Sequence, residues 1–234
     1  HGYGVDLAEA IIESCDVFFY TTGVKTGIDL LSKESALFGL GDITGIDLPG
    51  EKRGIMPDRA WKKDKRRQEW FNGDTINMSI GQGFMLTTPL QLAVMSARIA
   101  TRGEQIIPKL VKSIDGTPVE PEVAGEKIGY DKKYWDYVHQ AMVDVVHSKK
   151  GTARLISKGL TYKLAGKTGT AQVISINEKE KYDSSKIDKS KWDHALFVAF
   201  APAENPQIAL GLIVENGEHG SRTAATIARQ VIDS

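Results

Sequence analysis

The chain has one cysteine in 234 residues, Cys15, which excludes an internal disulfide and leaves the redox compartment open. It has no charge surplus: 30 Lys and Arg stand against 30 Asp and Glu, so the basic excess of a general nucleic-acid binder is missing. It has no long apolar run. The longest, Ala195 to Ala201, covers seven residues and is strand-sized, against the ~18 that a membrane-spanning helix needs. There is no internal repeat, the mark of solenoids and propellers. Nor does the chain open on a methionine: it begins His1-Gly2-Tyr3-Gly4, and the expectation is a piece of a longer protein. What is present is ordinary for a globular domain, 41% hydrophobic and 26% charged residues, enough to bury a core.

Apolar spacing sets the elements. Val5, Ala8, Ile11, Ile12 and Cys15 recur at helical intervals and predict one helix from Val5 to Tyr20, with Asp6 as its cap. Leu30 to Phe38 reads as a second short helix, closed by Gly39 and Gly41. Residues 41–72 are turn-rich and charged. Within them Arg59 to Trp70 holds six basic against two acidic residues, read as a solvated loop or helix face ahead of a contact surface for an acidic partner. Asp74 to Gly83 ends in the turn Gly81-Gln82-Gly83. Thr88 and Pro89 then open a helix to Thr101, as N-cap and first helical residue. Trp135, Val138, Met142 and Val145 share one side of a helix from Tyr134 to Ser148. Tyr162 to Ile176 reads as a strand, followed by a polar insertion from Asn177 to Asp193. His194 to Ala201 and Gln207 to Val214 form a hairpin, and an alanine-rich helix from Arg222 to Ile232 closes the chain. This order predicts an α+β fold with an antiparallel sheet.

Lys167-Thr168-Gly169-Thr170-Ala171 carries the most chemistry. On a strand, residues two apart share a face, so Lys167 and Gly169 point one way and Thr168 and Thr170 the other. An ammonium and two hydroxyls can receive a carboxylate beside a reacting carbonyl, and the glycine leaves room for a substrate backbone. That suits acyl transfer on a peptide-like substrate, but it supplies no nucleophile. Ala165-Gly166-Lys167-Thr168 also looks like the end of a phosphate-binding loop. Such a loop needs a glycine where Thr161 stands, and a helix starting at the lysine where the pattern reads strand. Nucleotide binding is therefore set aside. A second polar cluster, Ser14-Cys15-Asp16, sits where the first helix meets Val17-Phe18-Phe19-Tyr20. Alone, Ser-x-Asp is a pattern that chance supplies, and it could be a helix end turning into an aromatic run.

Taken together and in this order, Ser14-Cys15-Asp16 and Lys167-Thr168-Gly169 resemble two of the three signatures of the penicillin-recognising serine acyltransferases, most closely the penicillin-binding protein 2 group, the transpeptidases of bacterial cell elongation. Thr44-Gly45-Ile46-Asp47-Leu48-Pro49-Gly50-Glu51, Gly81-Gln82-Gly83, Thr88-Pro89-Leu90-Gln91, Ala199-Phe200-Ala201-Pro202 and Glu215-Asn216-Gly217 also look like that group. The first signature, Ser-x-x-Lys, is missing: no serine in the chain has a lysine three residues on. The family places that nucleophile upstream of Ser-x-Asp. The resemblance thus implies the downstream part of a single transpeptidase domain, with an antiparallel sheet flanked by helices and incomplete on its N-terminal side. Residues 1–150 would be its mainly helical and loop portion, and 151–234 its sheet strands and C-terminal helix. Alone, the chain is expected not to acylate.

The resemblance also implies roles. Ser14 would lend its hydroxyl to the proton path between the missing lysine and the leaving group. Asp16 stands where asparagine is commoner; it would accept a bond from a substrate amide or orient the missing lysine. Lys167 would hold Ser14 and add positive potential. Thr168 and Thr170 would bind the substrate carboxylate beside Gly169, and the Thr170 backbone N–H would give half of an oxyanion hole. The implied partners are peptidoglycan stem peptides, β-lactam antibiotics and the membrane proteins of the cell-elongation complex, with no nucleic acid. The implied location is the bacterial periplasm, anchored in the inner membrane through a segment outside the chain. No cofactor is required. Separately, His1 and Cys15 are both good zinc ligands, and a structural zinc would need its other ligands from upstream chain. Two other functions stay open: a β-lactamase or β-lactam sensor of the same fold, and a catalytically inactive binding module.

Overall fold

The computed structural model describes residues 4–120, 122–174 and 186–234. The single helix expected from Val5 to Tyr20 is two. Helix α1 (Leu7–Glu13) starts at Asp6, whose carboxylate accepts from the Glu9 N–H at 2.8 Å, and α2 (Asp16–Thr26) begins just beyond it. Between them Ser14 takes φ 56 and ψ 58, the left-handed conformation, and the Cys15 N–H closes α1 on the Ala10 carbonyl at 2.9 Å. Neither glycine nor proline marks this break. The apolar rhythm runs across it because Cys15 is itself buried.

Four helices follow: α3 (Ile28–Leu37), α4 (Arg59–Arg66), α5 (Asn72–Met78) and α6 (Pro89–Ala100). The start of α6 is the one its sequence announces. The Thr88 hydroxyl accepts from the Gln91 N–H at 3.1 Å while the Gln91 side chain accepts from the Thr88 N–H at 2.9 Å. Gln91 is fully buried and also donates to the Asp42 and Arg53 carbonyls, at 2.6 and 2.7 Å, tying the 41–56 loop to α6. The basic stretch around α4 is not solvated throughout. Lys62 is 3% exposed, its ammonium 2.5 Å from the Asp74 carboxylate and within 4.9–5.9 Å of the Phe71, Phe84 and Trp70 rings. One cation of the six is thus spent inside, holding α4 to α5.

Two small hairpin-like pairs, absent from the sequence reading, come next: β1 (Ile106–Ile107) with β4 (Glu122–Val123), and β2 (Ser113–Ile114) with β3 (Thr117–Pro118). Helix α7 (Lys132–His147) leads to the main sheet, which is antiparallel with order β5 (Ala165–Ala171), β6 (His194–Ala201), β7 (Ile208–Val214). Strand β5 is shorter than Tyr162 to Ile176, and most of the polar insertion at Asn177 to Asp193 lies outside the described residues. A wide helical turn at Gly220–Ala224 passes into α8 (Ala225–Asp233).

Both faces of the sheet are covered. Ala195, Phe197, Ala199 and Ala201 of β6 pack with Ala224, Ala225 and Ala228, small residues that let α8 lie close. On the other face Phe200 meets Ala100, Met142 and Val143. There α6 lies directly on Gly211, where a Cβ would come within 2.6 Å of the Ala93 nitrogen and the Pro89 oxygen. Among the described residues the outer edge of β5 carries no further strand, and along it lies the cleft, whose opposite wall is Ser14, α2 and the stretch from Asn77 of α5 to Gln82.

Candidate active site

The break after α1 has a chemical consequence. A left-handed serine costs about 1 kcal/mol relative to helical backbone. Here it turns the Ser14 hydroxyl out of the helix and towards β5, where it accepts a hydrogen bond from the Lys167 ammonium at 2.8 Å. These residues are 153 positions apart in the chain. Lys167 also donates to the Thr168 carbonyl at 3.0 Å. Burial pushes the Lys167 ammonium down to about 8, against the opposing pull of Asp16, which opens α2 on the same side of the cleft.

The cleft has a volume of about 680 Å³, and Ser14, Asp16, Lys167, Thr168, Gly169 and Thr170 all line it. The expected site residues are therefore brought together, and Cys15, between two of them, points into the core instead. Thr168 and Thr170 differ in surroundings. The Thr168 hydroxyl lies 3.0 Å from that of Thr152, while Thr170 is exposed and its carbonyl accepts from the Gln82 side-chain amide at 2.7 Å. Gly169 is braced from behind: a Cβ on Gly220 would sit 2.4 Å from the Gly169 oxygen. Asn77, Ser79, Gln82 and Asp193 also line the cleft, and the sequence reading assigned none of them to the site. Gln82 carried a signal, the flanking pair of glycines. Thr152 and Asp193 carried none.

His139 and His147 sit on α7, where burial pushes both imidazoles below the ordinary range. Each ring has a backbone partner, the Ile99 carbonyl for His139 and the Leu164 N–H for His147, so neither serves the cleft. Cys15 is a buried free thiol, and His1 lies outside the described residues. Among the described residues no group of three or more His, Cys, Asp or Glu side chains gathers as metal ligands. Among them, too, no helix is long and apolar enough to cross a membrane.

Comparison with known proteins agrees with this geometry. The pattern described as penicillin binding protein transpeptidase domain matches residues 1–233. The peptidoglycan D,D-transpeptidase MrdA of Acinetobacter baumannii is 42% identical over 237 residues, covering 99% of this chain and 35% of that protein. MrdA of Escherichia coli K12 is 38% identical over 241 residues, 99% of this chain and 37% of its own. The chain thus spans just over a third of the length of these relatives. Among solved structures, Pseudomonas aeruginosa PBP2 in complex with WCK 5153 superposes with a TM-score of 0.86 at 45% identity, covering 98% of this chain and 48% of that one. PBP2 of Helicobacter pylori in complex with MreC gives 0.84 at 34% identity, covering 100% of this chain and 40% of that one. With a lysine–serine contact joining two signatures across the cleft, and with that match running over nearly its whole length, the chain belongs to the penicillin binding protein transpeptidase domain family.

Proposed function

We propose that the chain is the downstream part of a peptidoglycan D,D-transpeptidase domain, of the kind that cross-links stem peptides during cell elongation. The observation that carries this reading is the 2.8 Å contact from Lys167 to Ser14. Nothing structural demands it. A left-handed serine and a desolvated ammonium both cost stability, and such costs gather where chemistry needs them.

In this reading a serine upstream of the chain, with its own lysine base, attacks the carbonyl of the donor peptide. Its proton passes to the base and on, through the Ser14 hydroxyl, to the departing amine. The acyl-enzyme is then released by the amine of an acceptor peptide. The protonated Lys167 holds Ser14 and attracts the donor carboxylate, which the Thr168 and Thr170 hydroxyls bind. Asp16 accepts from a substrate amide, and the Thr170 N–H supplies one oxyanion donor beside Gly169, worth about 10²–10³ in rate. Acyl transfer through serine needs no cofactor, and a zinc at His1 and Cys15 has no part in it. The chain itself, holding no Ser-x-x-Lys, is expected to be inactive alone. In this reading the site works in the periplasm, on a protein anchored in the inner membrane and acting with membrane proteins of the elongation machinery. β-Lactams are its inhibitors.

The test is a time course of the full-length protein with fluorescent penicillin. A transpeptidase takes up one label and keeps it for long times. Rapid turnover would indicate a β-lactamase, and no label a binding module. Ser14→Ala and Lys167→Ala should each slow labelling at least 100-fold, about the lower end of what a positioned proton carrier contributes.

A further inference from the structure

Gln82 is placed to compete with substrate. Strand β5 is an edge of the sheet, with β6 on its inner side and the cleft on its outer side. In an antiparallel strand, alternate residues turn both N–H and C=O to the same side. The Thr170 carbonyl faces the cleft, because the Gln82 amide reaches it at 2.7 Å from the opposite wall. A peptide-like ligand laid along this edge pairs through the same outward groups, so its N–H must take the acceptor that Gln82 already holds.

The loop is built so that the side chain can leave without the loop unfolding. Gly81 and Gly83 flank Gln82 with φ of 75° and 78°, the left-handed region where glycine is at ease. A Cβ on Gly81 would meet nothing, so that side of the loop is open space. The backbone is nevertheless anchored. The Gln82 N–H bonds the Asn77 carbonyl at 3.0 Å, and Phe84 packs on Trp61 with ring centroids 5.4 Å apart. Rotation of one amide side chain is enough to free the acceptor.

We propose that Gln82 is a specificity-determining residue of the transpeptidase site, occupying the Thr170 carbonyl in the empty cleft and yielding it to ligands that bring their own N–H. Such ligands exchange one hydrogen bond for another. Ligands without that donor either leave Gln82 in place or strand the carbonyl. This rests on the transpeptidase reading, and it adds a residue to which that reading gives no role.

The experiment measures second-order acylation rates of the full-length protein by two β-lactams, benzylpenicillin, whose side chain offers an amide N–H, and a carbapenem, which has no such amide. Gln82→Ala should speed acylation by benzylpenicillin about two- to tenfold, the worth of one net hydrogen bond, and leave the carbapenem rate unchanged. Gln82→Glu keeps the shape but cannot donate, so it should raise the ratio of the two rates in the same direction. Equal changes for both ligands, with a lowered melting temperature, would show that Gln82 only braces the loop and would overturn the proposal. An unchanged ratio in both variants would do the same while leaving the transpeptidase reading intact. Failure of the unaltered protein to react with either compound would overturn both.

Discussion

Lys167 is an ammonium held where water is scarce. Its ordinary value of 10.5 falls to about 8, chiefly through burial, and Asp16 opposes the shift. The folded protein therefore binds this proton more weakly than the unfolded chain does. Stability is reduced below about pH 8 and recovers as pH rises from there towards 10.5. Lys167→Met, of similar length and no charge, should raise the melting temperature at pH 7 by about 2–4 °C, the scale of 1 kcal/mol in a chain of this size. The same change should abolish the electrostatic hold on a carboxylate. Acylation of the full-length protein by a carboxylate-bearing penicillin should accordingly fall as pH rises through about 8, and Lys167→Arg should carry that limb upward. A pH profile without an alkaline limb would remove the clamp role. Ser14 makes the same trade in backbone terms. Ser14→Gly relieves a left-handed residue and should stabilise by about 1 kcal/mol in urea unfolding, while slowing acylation.

At the scale of elements, the contact of α6 with β7 is the tightest constraint beneath the site. At Gly211 an added methyl meets the Ala93 nitrogen and the Pro89 oxygen at 2.6 Å, all backbone, so the helix must lift. Gly211→Ala should cost about 1–3 kcal/mol in thermal or urea unfolding. The elements that the sequence announced are those whose signals are local. Thr88-Pro89 opens α6 with a reciprocal cap, and the β6–β7 hairpin stands on two apolar runs with prolines between them. What stayed hidden was set by distance. The break at Ser14 carries no glycine or proline, and its compensation lies 153 residues away on Lys167. The two-residue strands β1 to β4 are too short to leave a period. Lys62 looks like any surface lysine until Asp74 and three rings close around it. The same division holds in the cleft. Ser14, Asp16 and Lys167 were legible as two motifs, whereas Gln82 reaches Thr170 across 88 residues and Thr152 meets Thr168 only because α7 and β5 are neighbours in space.

At the scale of the molecule, the family pattern covers almost the whole chain, yet the chain spans just over a third of its MrdA relatives. Its cleft is lined by an ammonium, hydroxyls, carboxylates and amides, and the chain holds no Ser-x-x-Lys. The chain on its own should therefore bind fluorescent penicillin without covalent retention on a denaturing gel, while the full-length protein retains it. In the proposed mechanism Ser14 and Lys167 serve a nucleophile supplied from upstream. The most direct measurement acylates the full-length protein with benzylpenicillin, digests it and locates the adduct by mass spectrometry. The expected result is a single adduct on a serine N-terminal to His1, followed three residues later by lysine. An adduct on Ser14, on any other residue of this chain, or on none at all would contradict it.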